Sequence, residues 1–231
     1  MIKKIIYFIL GVFIFLIIIF SGIFFYLNKY PIRSEYIARQ LSKIVSEKTG
    51  ATLNIGSTQI YVFRQIHLNN VELKTKNGTV IAVDNAFLNY SFLPLAQKRL
   101  IGDILLQNVS IMTKQQTMWT MAGINIRTIG FENITSDVLL DETKLLLSDI
   151  KTEASILNIY GNLSLKQEPM TKTSLINAKF DIIFYPQKIK DNSVPTIFKQ
   201  IFSGSQTESI KFLFEISGDI QKPKVSFTPV I

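Results

Sequence analysis

The sequence contains no cysteine and only one histidine and one tryptophan among its 231 residues. Without cysteine, the chain has neither a disulfide framework nor thiolate metal sites. The single histidine, His67, alternates with Ile66 and Leu68, so its side chain is expected on the polar face of a strand. At such a position an exposed histidine is much more common than a metal ligand. Trp119 is expected in the core, with contact to lipid as the alternative.

Arrangements of residues that carry out catalysis are also missing. Asp141 and Glu142 are adjacent, so on a strand their side chains would diverge and could not act as a pair of catalytic carboxylates. Gly161 and Gly218 are isolated and form no phosphate-binding loop, and the chain has no Gly-x-Ser-x-Gly motif. The sequence therefore predicts a protein that is not an enzyme and that has no cofactor and no metal site.

Charge is absent from residues 5–27, an uninterrupted apolar run that follows Lys3 and Lys4. As a helix this run would be roughly 34 Å long, enough to cross the hydrocarbon core of a bilayer. A cleaved signal peptide is the alternative, but its apolar region is shorter, about 7–15 residues, and ends at a small-x-small site. Here Ser21 and Gly22 are followed by bulky residues. We therefore predict an uncleaved transmembrane signal anchor at 5–27, with residues 1–4 as a cytoplasmic stub and the rest of the chain exported.

The net charge of +8 would attract the chain to anionic surfaces. Nucleic acid is a common partner of basic proteins, but the sequence has no run rich in Arg or Lys and no interleaving of basic and aromatic residues. Anionic lipid head groups are the better match for a basic domain next to a bilayer. We therefore expect membrane lipid, and not nucleic acid, as a partner.

Residues 28–50 are predicted to form a juxtamembrane segment with one amphipathic helix. Apolar residues recur at helical spacing through this segment, and Ser34 precedes them as a candidate N-cap. Gly50 follows as a candidate left-handed residue at the C-terminus. We expect this helix to pack on the domain behind it, with a role at the membrane surface as the alternative.

From residue 51 to residue 231 the pattern changes to a period of two, which is typical of β-strands. Asn77-Gly78 between two alternating runs predicts a hairpin. A short helix is expected near residues 194–202, and no linker divides the region. We predict one mostly antiparallel β domain of about ten strands. Later alternating runs lie at residues 104–111, 124–134, 145–150, 156–165, 175–184 and 210–216.

Several of these strands share a short sequence motif, the repeated phrase, in which the alternation of apolar and polar residues breaks. The chain reads IHLNNVELK from Ile66, ILLQNVSIM from Ile104 and IGFENITSD from Ile129, and more loosely LLLSDI from Leu145. In each, an apolar residue follows the previous one by three positions, which a strict pleat would place on the wrong face. One extra residue, a β-bulge, would restore the facing, and short polar side chains suit that position. The predicted bulge positions are Asn70, Asn108, Asn133 and Asp149.

Bulged, twisted strands with one apolar face predict a curved sheet, and an uncovered apolar face would form a groove for an apolar ligand. An ordinary sandwich, in which two apolar faces close on each other, is the competing interpretation. The residues predicted to line the groove are Ile66, Leu68, Val71, Leu73, Ile104, Leu106, Val109, Ile111, Ile129, Phe131 and Ile134.

Both ends of this chain resemble the AsmA-like superfamily. The apolar N-terminal run, the helix ending in Thr49-Gly50, and the stretch IHLNNVELKTKNGTVIAVDNAFLNYSFLPL followed by IGDILLQNVSI are similar to that family's N-terminal region. The C-terminal FEISGDIQKPKVSF resembles the closing strand of the same group, with Pro223 in its expected place. Short members with both ends present are similar to the type II secretion system protein N.

The resemblance implies a fold and a location. It implies a transmembrane helix and an amphipathic helix followed by a curved, twisted, mostly antiparallel β-sheet that is shaped like a groove or taco. Together with the apolar run, it implies a single-pass protein of the bacterial inner membrane, with its N-terminus inside and its C-terminal domain in the periplasm.

The same resemblance implies two functions. The first is a non-enzymatic protein whose groove binds or passes phospholipid acyl chains in outer-membrane biogenesis and homeostasis. The second is an accessory or structural component of a type II secretion system, in which the sheet binds protein partners of the cell envelope.

Overall fold

A computed structural model describes residues 2–112, 128–154, 157–167, 174–185, 209–220 and 222–230, without the side chains of residues 2–14 and 48. The predicted helix at 194–202, Trp119 and the first residues of the predicted run 124–134 lie outside these ranges. The described helices are α1 (Ile2–Lys29), α2 (Glu35–Thr49) and α3 (Phe92–Ala96). The strands are β1 (Ile32–Arg33), β2 (Thr52–Tyr61), β3 (Gln65–Lys74), β4 (Val80–Tyr90), β5 (Leu100–Met112), β6 (Thr128–Leu140), β7 (Lys144–Glu153), β8 (Leu157–Gln167), β9 (Ser174–Phe184), β10 (Ile210–Asp219) and β11 (Lys224–Val230).

All eleven described strands form one sheet, in which each strand pairs with its neighbours in the sequence. Every pairing is antiparallel, from β1 against β2 to β10 against β11. The first and last strands do not pair, so the described sheet is open. The prediction of a mainly antiparallel β fold is confirmed, with eleven described strands instead of about ten.

The boundaries of α2 follow from its capping residues. The Ser34 side chain accepts a hydrogen bond from the Ile37 backbone N–H at 3.4 Å. At the other end Gly50 has a left-handed φ of 66° and its N–H donates to the Ser46 carbonyl at 2.8 Å. These bonds satisfy backbone groups that the helix cannot pair internally. Both predicted caps are therefore confirmed.

The predicted hairpin at Asn77-Gly78 joins β3 to β4. The Thr75 N–H donates to the Thr79 carbonyl at 2.9 Å, and the Gly78 N–H donates to the Thr75 carbonyl at 3.0 Å. Among the residues of this turn only Gly78 has a positive φ, of 80°. The connection is thus a five-residue loop and not a two-residue turn, which would need positive φ at both central residues in its commonest form.

The N-terminal helix does not support the predicted membrane anchor. Helix α1 runs unbroken from Ile2 to Lys29, and its side chains are described from Phe15 onward. Over the residues described, no helix has the length and apolar character needed to cross a membrane. This finding contradicts the predicted single-pass location in the inner membrane.

The core is one apolar cluster on one face of the sheet. Val83, Val109 and Phe131 pair directly across β4, β5 and β6, and Leu157 pairs with Phe184 across β8 and β9. These five buried residues belong to a single cluster, against which Ala154 and half-buried residues of β3 to β6 and of β8 to β10 pack. Burial of their apolar surface is the main source of tertiary stability in the described part of the sheet.

Two glycines in adjacent strands differ in the space around them. A Cβ added at Gly102 in β5 would overlap the carbonyl oxygen of Asn89 and lie 2.9 Å from the Tyr90 Cα. A Cβ added at Gly130 in β6 would meet its nearest neighbour, the Val109 oxygen, at 4.0 Å, an ordinary contact. Gly102 is therefore required by the close approach of β4, and Gly130 is not.

We expect Gly102→Ala to lower the free energy of unfolding by about 1–3 kcal/mol, because β4 must shift to admit the methyl group. Gly130→Ala is the matched control, and it should be neutral or slightly stabilising because alanine loses less conformational entropy than glycine on folding. Urea unfolding of the two variants checks this, and equal midpoints would contradict it.

Candidate binding surface on the sheet

The residues predicted to line a groove all lie on one face of the sheet, which we call the inner face. Directly paired residues of antiparallel strands point to the same face. The register across β3, β4, β5 and β6 arranges the inner face in four rows, which contain all eleven predicted residues. The rows are Leu73–Ile81–Ile111–Ile129, Val71–Val83–Val109–Phe131, Leu68–Ala86–Leu106–Ile134 and Ile66–Leu88–Ile104–Ser136.

The inner face continues across the break in alternation. In β5, Leu106 and Val109 are three positions apart; Val109 belongs to the apolar cluster and Leu106 packs against it. The same holds for Ala86 and Val83 in β4 and for Ile134 and Phe131 in β6. Strict alternation would put the two members of each pair on opposite faces. At this level of the sheet, each strand therefore has two residues, instead of one, between consecutive inner-face positions.

The two residues between these inner-face positions form a band across five strands, which we call the polar seam. Its members are polar or glycine in every strand, and they align at one level of the sheet. The register is the same on both sides of the seam because every strand takes the same step there. The polar seam consists of Gly56-Ser57, Asn69-Asn70, Asp84-Asn85, Gln107-Asn108 and Glu132-Asn133.

Left-handed backbone conformations occur in alternate strands of the seam. Asn70 has φ 51° and Asn108 has φ 52°, a region that asparagine enters more readily than most residues. The Asn108 Nδ2 donates to the Asp84 Oδ2 at 3.0 Å, and the Asn69 Nδ2 donates to the Ser57 Oγ at 2.9 Å. Asn133 lies in the seam and pairs with Gln107, but its φ is not positive.

Asp149 differs from the seam residues because β7 alone carries an extra residue there. The register shifts between β6 and β7 at Thr135/Asp137 and between β7 and β8 at Leu147/Ile150. Asp149 has φ 52°, and its N–H donates to the Asn162 Oδ1 at 3.0 Å. Such a two-against-one arrangement is a β-bulge. At Asn70 and Asn108, in contrast, the neighbouring strands take the same step and the register does not shift.

The exposed fraction of the lining residues distinguishes an open apolar face from a closed core. Of the eleven predicted lining residues, only Val109 and Phe131 are buried, at 3% and 6% exposure, and the other nine are half-buried. Helices α1 and α2 contact β2, and α3 contacts the start of β5. Among the described elements, no helix lies over the central rows of the inner face.

Several inner-face residues were not predicted from the sequence. Strand β4 contributes Ile81, Val83, Ala86 and Leu88, and its sequence breaks alternation at Asp84-Asn85. The three-residue spacing between apolar positions would have identified the inner-face residues of β4, although its sequence differs from the repeated phrase. In β2 the pairing with β3 also places Leu53, Ile55, Thr58 and Ile60 on the inner face. Thr58 is 3% exposed, and its Oγ1 has no hydrogen-bond partner among the described residues.

The opposite, outer face carries the polar groups of the sheet. His67 lies there, with its Nε2 3.2 Å from the Asn85 Oδ1 and its ring stacked on Phe87 at a centroid distance of 4.1 Å. Across the described part of the chain, no group of three or more His, Cys, Asp or Glu residues could hold a metal ion.

Comparison with known proteins yields no match, whether with family models, curated proteins or solved structures. The resemblance to AsmA-like proteins consequently stays a prediction, and the functions that it implies do so as well.

The left-handed residue of the seam provides a test of its geometry. We expect Asn108→Val to destabilise the fold by about 1–2 kcal/mol, because a β-branched side chain is strained at positive φ. Asn108→Gly should remain close to the wild type, since glycine adopts this conformation freely. Asn133→Val, at the neighbouring seam position with an ordinary φ, is the matched control. Denaturant unfolding measures all three, and an equal loss for the two valine variants would contradict the assignment.

Proposed function

We propose that the inner face is an open, curved groove that binds lipid acyl chains, and that the protein is not an enzyme. The observation that carries this proposal is the exposure of the inner face: nine of its eleven predicted residues are only half-buried although all are apolar. Apolar surface of this extent is rarely left exposed on monomeric proteins without a binding role.

The chemistry of the rows suits a hydrocarbon chain. The four rows across β3 to β6 contain Val, Leu, Ile, Ala and Phe, and a polar side chain enters them only at Ser136. Half-buried apolar residues continue to β10 through Ile159, Ile182 and Phe212. Eight adjacent strands extend over about 34 Å at the usual strand spacing. Each methylene group removed from water contributes about 0.8 kcal/mol, so a long chain gains affinity without any hydrogen bond.

The resemblance to AsmA-like proteins supports the same ligand class. It connects the repeated strand phrase at Ile66 and Ile104 with phospholipid handling in outer-membrane homeostasis. The ligand chemistry rests on the inner face, whereas the cellular process rests on the resemblance alone.

A second candidate function, binding of a protein partner, is favoured by a different observation. Strand β11 is the last strand of the sheet, and all seven of its residues are exposed. An edge strand can accept a strand from another protein through its backbone groups. Pro229 and Lys224 would restrict such pairing, as they do at many protected edges. A component of a type II secretion system that binds envelope proteins would use this edge instead of the inner face.

Two leucines adjacent in β5 provide a test of the acyl-chain proposal. Leu106 lies on the inner face and Leu105 on the outer face, where it pairs with Phe87, and both are half-buried. A phospholipid with a photoactivatable acyl chain should cross-link to peptides of β3 to β6 in the full chain. We expect Leu106→Asp to reduce this cross-linking roughly tenfold or more, because a carboxylate in the groove opposes apolar contact.

Leu105→Asp introduces the same charge on the opposite face and should leave the cross-linking unchanged. Peptide mapping separates the sheet from α1, which is apolar and would also take up the probe. Equal cross-linking of both variants, or no cross-linking of the sheet, would refute the proposal. A photoreactive residue at Ser226 that captures a protein and no lipid would favour the second candidate.

A further inference from the structure

One end of the sheet collects exposed apolar and basic side chains. Because the strands form an antiparallel meander, every second connection lies at the same end. The β2–β3 turn, α3 with the residues after it, and the β6–β7 turn therefore lie together. We call this region the tip surface. It consists of Phe63, Arg64, Phe92, Leu93, Leu95, Lys98 and Arg99.

The apolar part of the tip surface projects into solvent. Leu93 is 79% exposed, which is the largest exposure among the described large apolar residues, and Phe92 and Leu95 are 43% and 41% exposed. Phe92 rests edge-on against Phe63 at a centroid distance of 5.0 Å. Phe63 in turn lies 4.6 Å from Phe24 of α1. These contacts anchor one side of α3 and leave Leu93 pointing away from the protein.

The backbone holds this projection in place. After α3, the N–H groups of Gln97 and Arg99 both donate to the Pro94 carbonyl, at 2.9 and 3.0 Å. The Lys98 N–H donates to the Leu95 carbonyl at 3.0 Å, with Lys98 in a left-handed conformation, φ 59°. The exposed leucines are thus presented by a hydrogen-bonded turn, so little ordering would be needed when they bind a partner.

Basic and aromatic groups also lie at this end of the sheet. The Arg64 guanidinium lies 4.8 Å from the centre of the Tyr61 ring, and the Lys29 ammonium lies 5.7 Å from that of Tyr30. Glu142 is 3.0 Å from Lys98. Leucine and phenylalanine flanked by tyrosine, lysine and arginine is the composition of surfaces that enter the interface of a lipid bilayer.

Asp141 and Glu142, the acidic residues of the β6–β7 turn, interact with neighbouring groups of the protein. The Asp141 carboxylate accepts hydrogen bonds from the backbone N–H groups of Thr143 and Lys144, each at 2.9 Å. The bond from Thr143 is the main cause that lowers the pKa of Asp141, and the Arg99 charge acts in the same direction. The tip surface itself carries three basic residues, Arg64, Lys98 and Arg99, against Asp141 and Glu142 beside it, whereas Asp103 and Asp137 lie farther from the end, in the row paired with Asn89.

We propose that the tip surface docks on a lipid bilayer with anionic head groups. Leu93 and Phe92 enter the outer part of the acyl-chain region, and Arg64, Lys98 and Arg99 lie among the head groups. Basic residues near such a surface each strengthen binding, and the apolar residues fix its depth. This docking is a contact with the membrane surface. It does not depend on acyl chains in the inner face, because it uses different residues.

The absence of cysteine from the sequence makes a site-specific test possible. Leu93→Cys in the full chain is labelled with a fluorophore sensitive to polarity and mixed with phosphatidylcholine vesicles, with or without phosphatidylglycerol. Some vesicles also carry lipids with brominated acyl chains as quenchers. We expect a blue shift and quenching at Leu93→Cys, both stronger with phosphatidylglycerol.

Val230→Cys is the matched control, because Val230 is apolar and 47% exposed but lies at the opposite end of the sheet, paired with Lys211. It should show neither effect. Leu95→Cys repeats the measurement at a second position in α3, in case the label at residue 93 disturbs docking. Because Phe63 contacts Phe24 of α1, uptake of α1 by the vesicles would also bring α3 near the bilayer, so the dependence on Lys98 and Arg99 is what distinguishes docking of the tip surface.

The charge is tested by the double substitution Lys98→Glu and Arg99→Glu combined with Leu93→Cys. Affinity for phosphatidylglycerol vesicles, read from the probe, should fall roughly fivefold or more for each basic residue removed. Quenching at both α3 positions no greater than at residue 230, or no dependence on phosphatidylglycerol, would overturn the proposal. Cross-linking of acyl chains to the inner face could still succeed in that event, so the two proposals fail separately.

Discussion

The polar seam is the constraint on which the rest of the described sheet depends. Each of the strands β2 to β6 has two residues between consecutive inner-face positions at the same level of the sheet. If one strand took a single-residue step there, all its side chains beyond the seam would turn to the other face. The apolar cluster would then be divided. The agreement of five strands keeps Leu106 and Val109 in one cluster and keeps the register continuous.

The seam and the bulge at Asp149 both add a residue between inner-face positions, so that apolar residues on either side of it share a face, but they do so in different ways. A bulge inserts a residue in one strand and shifts the register with its neighbours, as β7 does against β6 and β8. The seam distributes the insertion over the strands β2 to β6, so each of these strands stays in register with its neighbours in this group. The Ile66–Leu88–Ile104 row lies on the side of the seam nearer the tip surface. A lipid surface at that end would therefore adjoin the apolar inner face, which gives the two proposals a common geometry.

Much of the fold could be predicted because its signals are local. Alternation identified most strands, Ser34 and Gly50 identified the limits of α2, and Asn77-Gly78 identified the β3–β4 connection. Helix α3 was not predicted as a helix, because five residues around Pro94 are too few to show a period. The lining residues of β4 were missed because Asp84-Asn85 replaces the repeated phrase. The predicted membrane anchor was contradicted, since the described helices lack an apolar span of sufficient length.

The sequence by itself determined which residues share the inner face, because an alternating pattern with a polar step dictates facing within each strand. It also determined that short polar side chains occupy the step, where Asn70 and Asn108 adopt left-handed conformations. Only the tertiary structure decided that the steps of neighbouring strands coincide, that the described sheet stays open, and that Leu93 projects beside Arg64 and Arg99. These properties depend on register and on which connections share an end, and both are set by pairing between distant residues.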